Sequence, residues 1–453
     1  MTPPIARTLT LVLPVLALLA PPAAPQEARQ RLTRPDVVLI TVDTLRYDRL
    51  SAHGYRRPTS PHLDALLAGS ARFDQARVVE PLTGPSMVSL ITSRYPHHHG
   101  ASRNGLRMRP EMLGLGKVLK ARGYVTAAFV GNWTLRDELC GLGEHFDEYH
   151  EVFSRKRWLG MFKGEATAED LTDDALEWVD DHLDAPRRRP FLLWVHYVEP
   201  HAPYRLHEQF RGRLGITRRD EVDAGDRYDT EVAFVDHAIG RLLRGLDRSR
   251  GGAGTLIAFS SDHGESLGEH GYWGHGRHAY DVTLRIPMSF AWEGRIAPRS
   301  IAALASNLDV APTVLGLIGL PSPEEFAGHD FSAALRDAAA PPAGRITYHQ
   351  AHKGVTKGRS GEARQRGLLE VAVVEGGRKE ILRVRGGRAR RVFDLGADPY
   401  ENDNGVGPGS SASAALLSWL AAVQTGLVAA DLLPTTPLDD ESLEKMRALG
   451  YVE

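Results

Sequence analysis

The sequence places residues able to hold a cation, move a proton or attack an electrophile where apolar chain segments end. Asp43 closes the run DVVLITVD, Glu199 and His201 lie in FLLWVHYVEPHAPY just past its apolar part, and Asp262 with His263 stand near the end of GTLIAFSSDHG. A carboxylate at the end of a buried strand is costly unless it is paired or metal-bound. Asp43, Asp262 and His263 together offer oxygen and imidazole donors for one divalent cation. A single Asp-His-Gly reads equally as a turn with a capping histidine; acids and histidines at separate strand ends are what point to a metal. Thr83, in TGPSMVSLITS, stands where a loop enters a helix, because Pro85 suits a first turn and the residues after it are apolar at helical spacing. A hydroxyl there lies beside N–H groups that favour an anion. It is a poor nucleophile until a base or metal lowers its pKa. The alternative is that Thr83 caps the helix.

These residues need a scaffold that gathers strand ends. DVVLITVD, YVTAAFV, PFLLWVHYVEP, GTLIAFSSDHG and LRIPMSFAWEG read as strands. Between them TSPHLDALLAGS, EMLGLGKVLKARG, AEDLTDDALEWVDDHL and DTEVAFVDHAIGRLLRGL read as helices. Such alternation predicts an α/β fold with a large mixed or parallel sheet covered by helices on both faces, whose ligands collect at the carboxyl ends of the strands. From about Ile346 short strands separated by Gly-Gly turns predict a small antiparallel sheet. ASAALLSWLAAVQTGL and DDESLEKMRALGY then read as closing helices, and DAAAPPAG near Ala340 as a linker. The organisation expected is a catalytic α/β domain over 34–340 and a small β subdomain with a helical tail over 345–453.

The chain has 453 residues and a formal charge of −2, which gives no basic excess for nucleic acid. Arg187-Arg188-Arg189 reads as a solvated helix end. Arg7, the short apolar run LTLVLPVLALLA and the Ala/Pro stretch after it resemble a secretory leader over 1–25, an uncleaved anchor being the alternative. The run is short for a membrane span, which takes ~20 apolar residues, so an exported, periplasmic or extracellular protein is expected. The one cysteine, Cys140, excludes an internal disulfide and reads as a packing residue.

Five blocks in order carry a family resemblance: ITVDTLRYDRLSAHGY, TGPSMVSLITSRYPHHHG, HYVEPHAPY, SSDHGESLGEHGYWGHG and RVFDLGADPYENDN. They are similar to the sulfatases of the alkaline phosphatase superfamily and cover most of the chain after the leader. The resemblance implies an α/β domain with a large central sheet and a smaller C-terminal sheet domain. Sulfatases convert a Cys or Ser in a C-x-P-S-R segment to formylglycine. Here that segment is Thr83-Gly84-Pro85-Ser86-Met87, and a threonine cannot yield the aldehyde. Met87 replaces the usual arginine, Thr44 a metal-binding acid, His263 an asparagine, and His275 stands near an expected lysine.

A threonine with Asp, Asp and His around one cation is similar to the phosphoethanolamine transferases, lipoteichoic acid synthases and nucleotide phosphodiesterases of the same superfamily. The resemblance therefore implies Thr83 as nucleophile and Asp43, Thr83, Asp262 and His263 around the metal, zinc or manganese before calcium. It implies His201 or His275 for proton transfer, with His270 and His278 as rivals of His275. Asp236 and His237 read as structural, and His97-His98-His99 as a loop without a catalytic role. The substrate implied is an anionic ester of a glycan, a lipid head group or a small molecule, with no nucleic acid. Specificity is expected near YHEVFSRKRWLGMFKGEA and LHEQFRGRLGITRRD. Rival readings are a head-group transferase, which usually carries several membrane spans, and a non-catalytic protein that binds anionic glycans.

Overall fold

The computed structural model describes residues 34–430, apart from 158–161, 186–187, 218–219, 249–253, 337–338, 355–366, 386–388 and 407–410, together with residue 444. The leader, all but residue 444 of the second closing helix, and parts of the linker and of both specificity segments lie outside the described residues. In chain order the strands are β1 (Asp36–Val42), β2 (Ala71–Arg77), β3 (Val125–Val130), β4 (Glu148–Glu151), β5 (Ser154–Arg157), β6 (Phe162–Glu165), β7 (Phe191–Tyr197) and β8 (Thr255–Ser261). They continue with β9 (Ser266–Leu267), β10 (Trp273–Gly274), β11 (Met288–Ala291) and β12 (Arg299–Ser306). The last four are β13 (Ile346–His352), β14 (Leu368–Glu375), β15 (Arg378–Arg383) and β16 (Arg390–Asp394). The main helices are α1 (Pro61–Ala68), α2 (Thr83–Thr92), α3 (Ala168–Leu183), α4 (Ala224–Arg248), α5 (Val310–Leu317) and α6 (Ala414–Ala430).

Eight strands form one sheet in the order β12-β2-β11-β8-β1-β7-β3-β4. β1 is buried along its whole length and feeds two cores. Val37 and Leu39 pack with Met87, Leu90 and Val314 on one face, while Val38, Ile40 and Val42 pack with Leu171, Tyr228 and Val232 on the other. Burial on both faces explains why the central strands are continuously apolar. The sheet is mixed: β11 runs antiparallel to β8 and to β2. The segment from Asp262 to Ile286 returns from the end of β8 through the short hairpin β9–β10, one 3-10 turn and one four-residue helix, with no long crossover helix, and β11 runs back. Because β8, β1 and β7 are parallel neighbours, Asp262, Asp43 and the residues after Tyr197 emerge at one edge.

The second sheet has the antiparallel order β13-β14-β15-β16. Gly376 and Gly377, at φ 54 and 84, make the left-handed turn between β14 and β15 that side-chain-bearing residues resist. α6 covers this sheet through Leu416, Trp419, Val423 and Leu427. The triplet expected as a loop is instead a helical turn, Pro96–His99, with His97 and His99 buried. α6 packs over it so closely that a Cβ on Gly426 would meet His97 at 2.5 Å, and His99 Nε2 lies 3.0 Å from Ser89 Oγ. Cys140 is buried, which pushes its thiol up to about 12.

Candidate active site

At the end of β1 the chain turns sharply. The Asp43 amide donates to Tyr197 O at 2.9 Å, and Thr44 adopts a left-handed φ of 53°. A β-branched residue in that region costs on the order of 1–3 kcal/mol and persists only when its surroundings demand it. The demand is visible: the Thr44 amide donates to Asp262 Oδ1 at 2.9 Å, and its carbonyl accepts Tyr228 Oη at 2.7 Å. Asp262 Oδ1 also accepts the His263 amide at 2.7 Å. Its second oxygen, Oδ2, has no hydrogen-bond partner among the described residues and lies 3.4 Å from His263 Nε2.

His263 Nδ1 donates to Gly264 O at 2.9 Å. A carbonyl only accepts, so the ring proton sits on Nδ1 and Nε2 presents a lone pair. That lone pair faces Asp262 Oδ2 at 3.4 Å and Thr83 Oγ1 at 3.4 Å. Ligand atoms of Asp43, Asp262 and His263 all fall within 4.8 Å of one another, and all three residues are buried. Burial raises Asp43 well above the usual carboxylate range, and the neighbouring Asp262 raises it further. Burial likewise pushes Asp262 up to about 7. Lone pairs converging with little hydrogen-bond donation between them are the chemistry of a cation site, so these residues fit a divalent metal.

Thr83 is the first residue of α2, Leu82 holds the cap position, and the Thr83 hydroxyl lies 3.4 Å from His263 Nε2. The loop into α2 is pinned from several sides. Gly84 N donates to Asn104 Oδ1 at 2.9 Å, Ser86 Oγ donates to Asp262 O at 2.6 Å, and Asn307 Nδ2 donates to Ser86 O at 3.0 Å. Met87, in the position of the missing arginine, belongs to the apolar core. Asn132, at the end of β3, donates its Nδ2 to Asp43 Oδ2. Its Oδ1 accepts Thr134 N and Oγ1, both at 2.7 Å, which fixes the amide orientation.

The structure brings two further histidines to this centre. The ring of His275 lies 4.3 Å from that of His263 and 5.3 Å from that of His201. Glu265, itself buried, meets His275 Nδ1 at 3.1 Å. Burial alone would lower His275, but the carboxylates of Glu265 and Asp262 outweigh it and hold the ring above its usual pKa. His201 goes the other way, to about 4, through burial and then the charge of His275. Its Nδ1 donates to Ala202 O at 2.7 Å, which fixes the ring.

The other candidates serve elsewhere. Glu199 is raised to about 8 by burial and accepts the Ala168 amide at 3.2 Å, at the start of α3. His270 stacks on Tyr280 at 3.7 Å, and His278 pairs with Glu370 at 3.0 Å. Asp236 caps α1 by accepting the amides of His62 and Leu63 at 3.0 and 2.8 Å. Sequence reasoning missed Asn104, Asn132, Glu265 and Asn307. Glu265 alone carried a signal, since it lies within the Asp-His-Gly-Glu block.

The sulfatase family profile matches residues 35–320. An N-acetylglucosamine-6-O-sulfatase of Bacteroides thetaiotaomicron is 24% identical over 74% of this chain and 76% of its own length. Human arylsulfatase A is 27% identical over 86% of this chain and 87% of its own length. The phosphonate monoester hydrolase of Agrobacterium radiobacter shares the fold, with a TM-score of 0.67 at 19% identity over 92% of this chain and 96% of that one. A mixed sheet that gathers Asp43, Thr83, Asp262 and His263 at one edge and a family match across that sheet lead to one assignment: the chain belongs to the sulfatase family, ester hydrolases of the alkaline phosphatase superfamily.

Proposed function

We propose that the protein hydrolyses sulfate or phosphate-type esters with Thr83 Oγ1, unmodified, as the nucleophile. The observation that carries this reading is the Thr83 hydroxyl at 3.4 Å from the His263 Nε2 lone pair, beside the carboxylates of Asp43 and Asp262. A divalent cation on Asp43, Asp262 and His263, zinc or manganese before calcium given the imidazole donor, would supply a lowered pKa at that hydroxyl and neutralise charge on the ester. Asn132 orients Asp43, and Asn104 holds the loop so that Oγ1 stays in place.

Thr83 Oγ1, ionised with its proton released to solvent, forms the new bond to sulfur or phosphorus as the bond from that atom to the alcohol oxygen breaks. His275, kept protonated by Glu265, gives that oxygen its proton, and His201, kept neutral by burial, takes one from the water that later frees Thr83. The names of the relatives, sulfatases and a phosphonate monoester hydrolase, support an anionic ester without choosing between sulfur and phosphorus. Export fits the N-terminal pattern; among the described residues no helix is long and apolar enough to cross a membrane. The test is turnover of matched nitrophenyl sulfate, phosphate, phosphodiester and phosphonate by the metal-loaded protein and by Thr83→Ala. Turnover lost in the variant is expected; turnover that survives removes Thr83 from the reaction.

A further inference from the structure

One buried cation takes no part in the chemistry assigned so far. Arg46, in the turn beyond Asp43, is 4% exposed, and its guanidinium makes four hydrogen bonds. Nε and Nη2 each donate to the Asp48 carboxylate at 2.8 Å. Nη1 donates to Glu269 Oε1 at 2.7 Å and to Glu265 O at 3.1 Å. The Arg46 amide donates to Tyr228 Oη at 3.0 Å, and that hydroxyl donates to Thr44 O at 2.7 Å. The backbone of Arg46 is therefore fixed in the turn that follows Asp43, while its side chain reaches the segment that carries Glu265. A guanidinium can span two carboxylates and a carbonyl in this way because its donors form a rigid fork.

That segment is a hairpin with little of its own to hold it. β9 and β10 share two pairs, Leu267 with Trp273 and Ser266 with Gly274. The next position along the same register sets Glu265 opposite His275, and there Glu265 Oε1 meets His275 Nδ1 at 3.1 Å. A two-stranded ribbon this short is marginal at best by itself. A slip of one residue would turn Glu265 to the other face, away from His275. The turn is strained as well: His270 adopts a left-handed φ of 56°, which a residue with a side chain keeps only when its surroundings demand it. The bracing comes from Glu269, whose Oε2 accepts the Leu267 amide at 2.7 Å while Oε1 takes the Arg46 guanidinium. One arginine thus ties the hairpin at its turn, through Glu269, and at its base, through Glu265 O.

We propose that Arg46 is a positioning residue for the leaving-group proton donor: it locks the hairpin's register, and with it the place of His275, to the turn that follows Asp43. This rests on the reading of Thr83 as nucleophile and His275 as donor, and it names what keeps the donor in place. The step served is the transfer of the His275 proton to the leaving oxygen as the bond from sulfur or phosphorus to that oxygen breaks. The transfer matters most when the departing oxygen is strongly basic, since a weakly basic one leaves without help. A nitrophenyl ester and the unsubstituted phenyl ester of the same acid therefore separate this role from plain support of the fold. Impaired folding lowers turnover of both esters alike.

The experiment measures kcat/KM for both esters with the metal-loaded protein, and the readout is the phenyl value divided by the nitrophenyl value. That ratio should fall about 10–100-fold in Arg46→Ala, a part of what a well-placed general acid contributes. Arg46→Lys keeps the charge without the fork and should lower the ratio less. In a Glu265→Gln background Arg46→Ala should lower it no further, because both act through the same ring. Should Arg46→Ala not fold, Arg46→Lys and Glu269→Gln carry the same readout. An unchanged ratio, with both esters losing turnover equally, would mean that Arg46 only supports the fold, and overturns the proposal. So would losses that add fully to those of Glu265→Gln. A ratio that His275→Gln leaves unchanged strikes instead at the donor reading, and turnover that survives Thr83→Ala strikes at the Thr83 reading.

Discussion

At the scale of the residue, the centre works by setting neighbouring groups apart. His263 and His275 lie 4.3 Å from ring to ring, yet one bonds a carbonyl and the other a carboxylate. Replacing Asp262 by Asn leaves Asp43 as the one carboxylate among the three proposed ligands, and metal content measured by elemental analysis should fall from near one ion per chain to near none. The raised pKa of His275 carries its own sign. A proton donor is active below its pKa, so kcat should fall as pH rises through it. Glu265→Gln removes the carboxylate that raises it, and the alkaline limb of the pH–rate profile should move to lower pH. A profile unmoved by that substitution would take His275 out of the donor role.

At the scale of the element, α2 is buried at every residue and delivers Thr83 at its first position. Asn104 and Asn307, from opposite sides of the chain, set where it starts. Removing either amide, as in Asn104→Ala, should cost about 10–100-fold in kcat if Thr83 is the nucleophile as proposed, because a small shift of an attacking atom is expensive in rate. KM should change less, and steady-state kinetics separates the two. Much of this level was legible beforehand. Asp43, Asp262 and His263 end apolar runs, and Thr83 precedes a proline and an apolar helix, so strand ends and a helix start could be marked in the sequence. The antiparallel β11 was not, since an apolar run carries no direction. Nor were Asn104, Asn132 and Asn307, whose roles depend on loops that only the fold brings together. The histidine triplet misled for the same reason: nothing local announces that α6 will cover it.

At the scale of the whole molecule, the two sheets are joined by buried charge. Asp281 lies between Arg77 at 2.6 Å and Lys379 at 2.7 Å, and Lys379 also reaches Glu401 at 2.8 Å. Glu370 of β14 meets His278 at 3.0 Å and Arg383 at 2.9 Å and accepts the Ala279 amide at 2.9 Å. Burial works to raise Glu370, but the His278 hydrogen bond and the Arg391 charge outweigh it and hold the carboxyl at about 2, against an ordinary 4.5. A depressed pKa stabilises the fold above the ordinary value and loses that contribution as pH falls from 4.5 towards 2. Melting midpoints recorded over that window should drop in the native protein, and less steeply in Glu370→Gln, which begins lower at neutral pH. If Asp43, Asp262 and His263 hold a cation as proposed, a chelator should lower the midpoint further. The joint matters for function because β13, the strand that grips the loop before Thr83, belongs to the smaller sheet.

The central claim is that Thr83 becomes covalently linked to the group being transferred. The direct measurement is mass spectrometry of the peptide containing Thr83, taken from enzyme quenched with acid during turnover of a nitrophenyl ester. The account predicts a peptide heavier by one phosphoryl or sulfuryl group on Thr83, absent without substrate and absent from the matching peptide of Thr83→Ala. Turnover with an unmodified Thr83 peptide and undiminished activity in Thr83→Ala would contradict it.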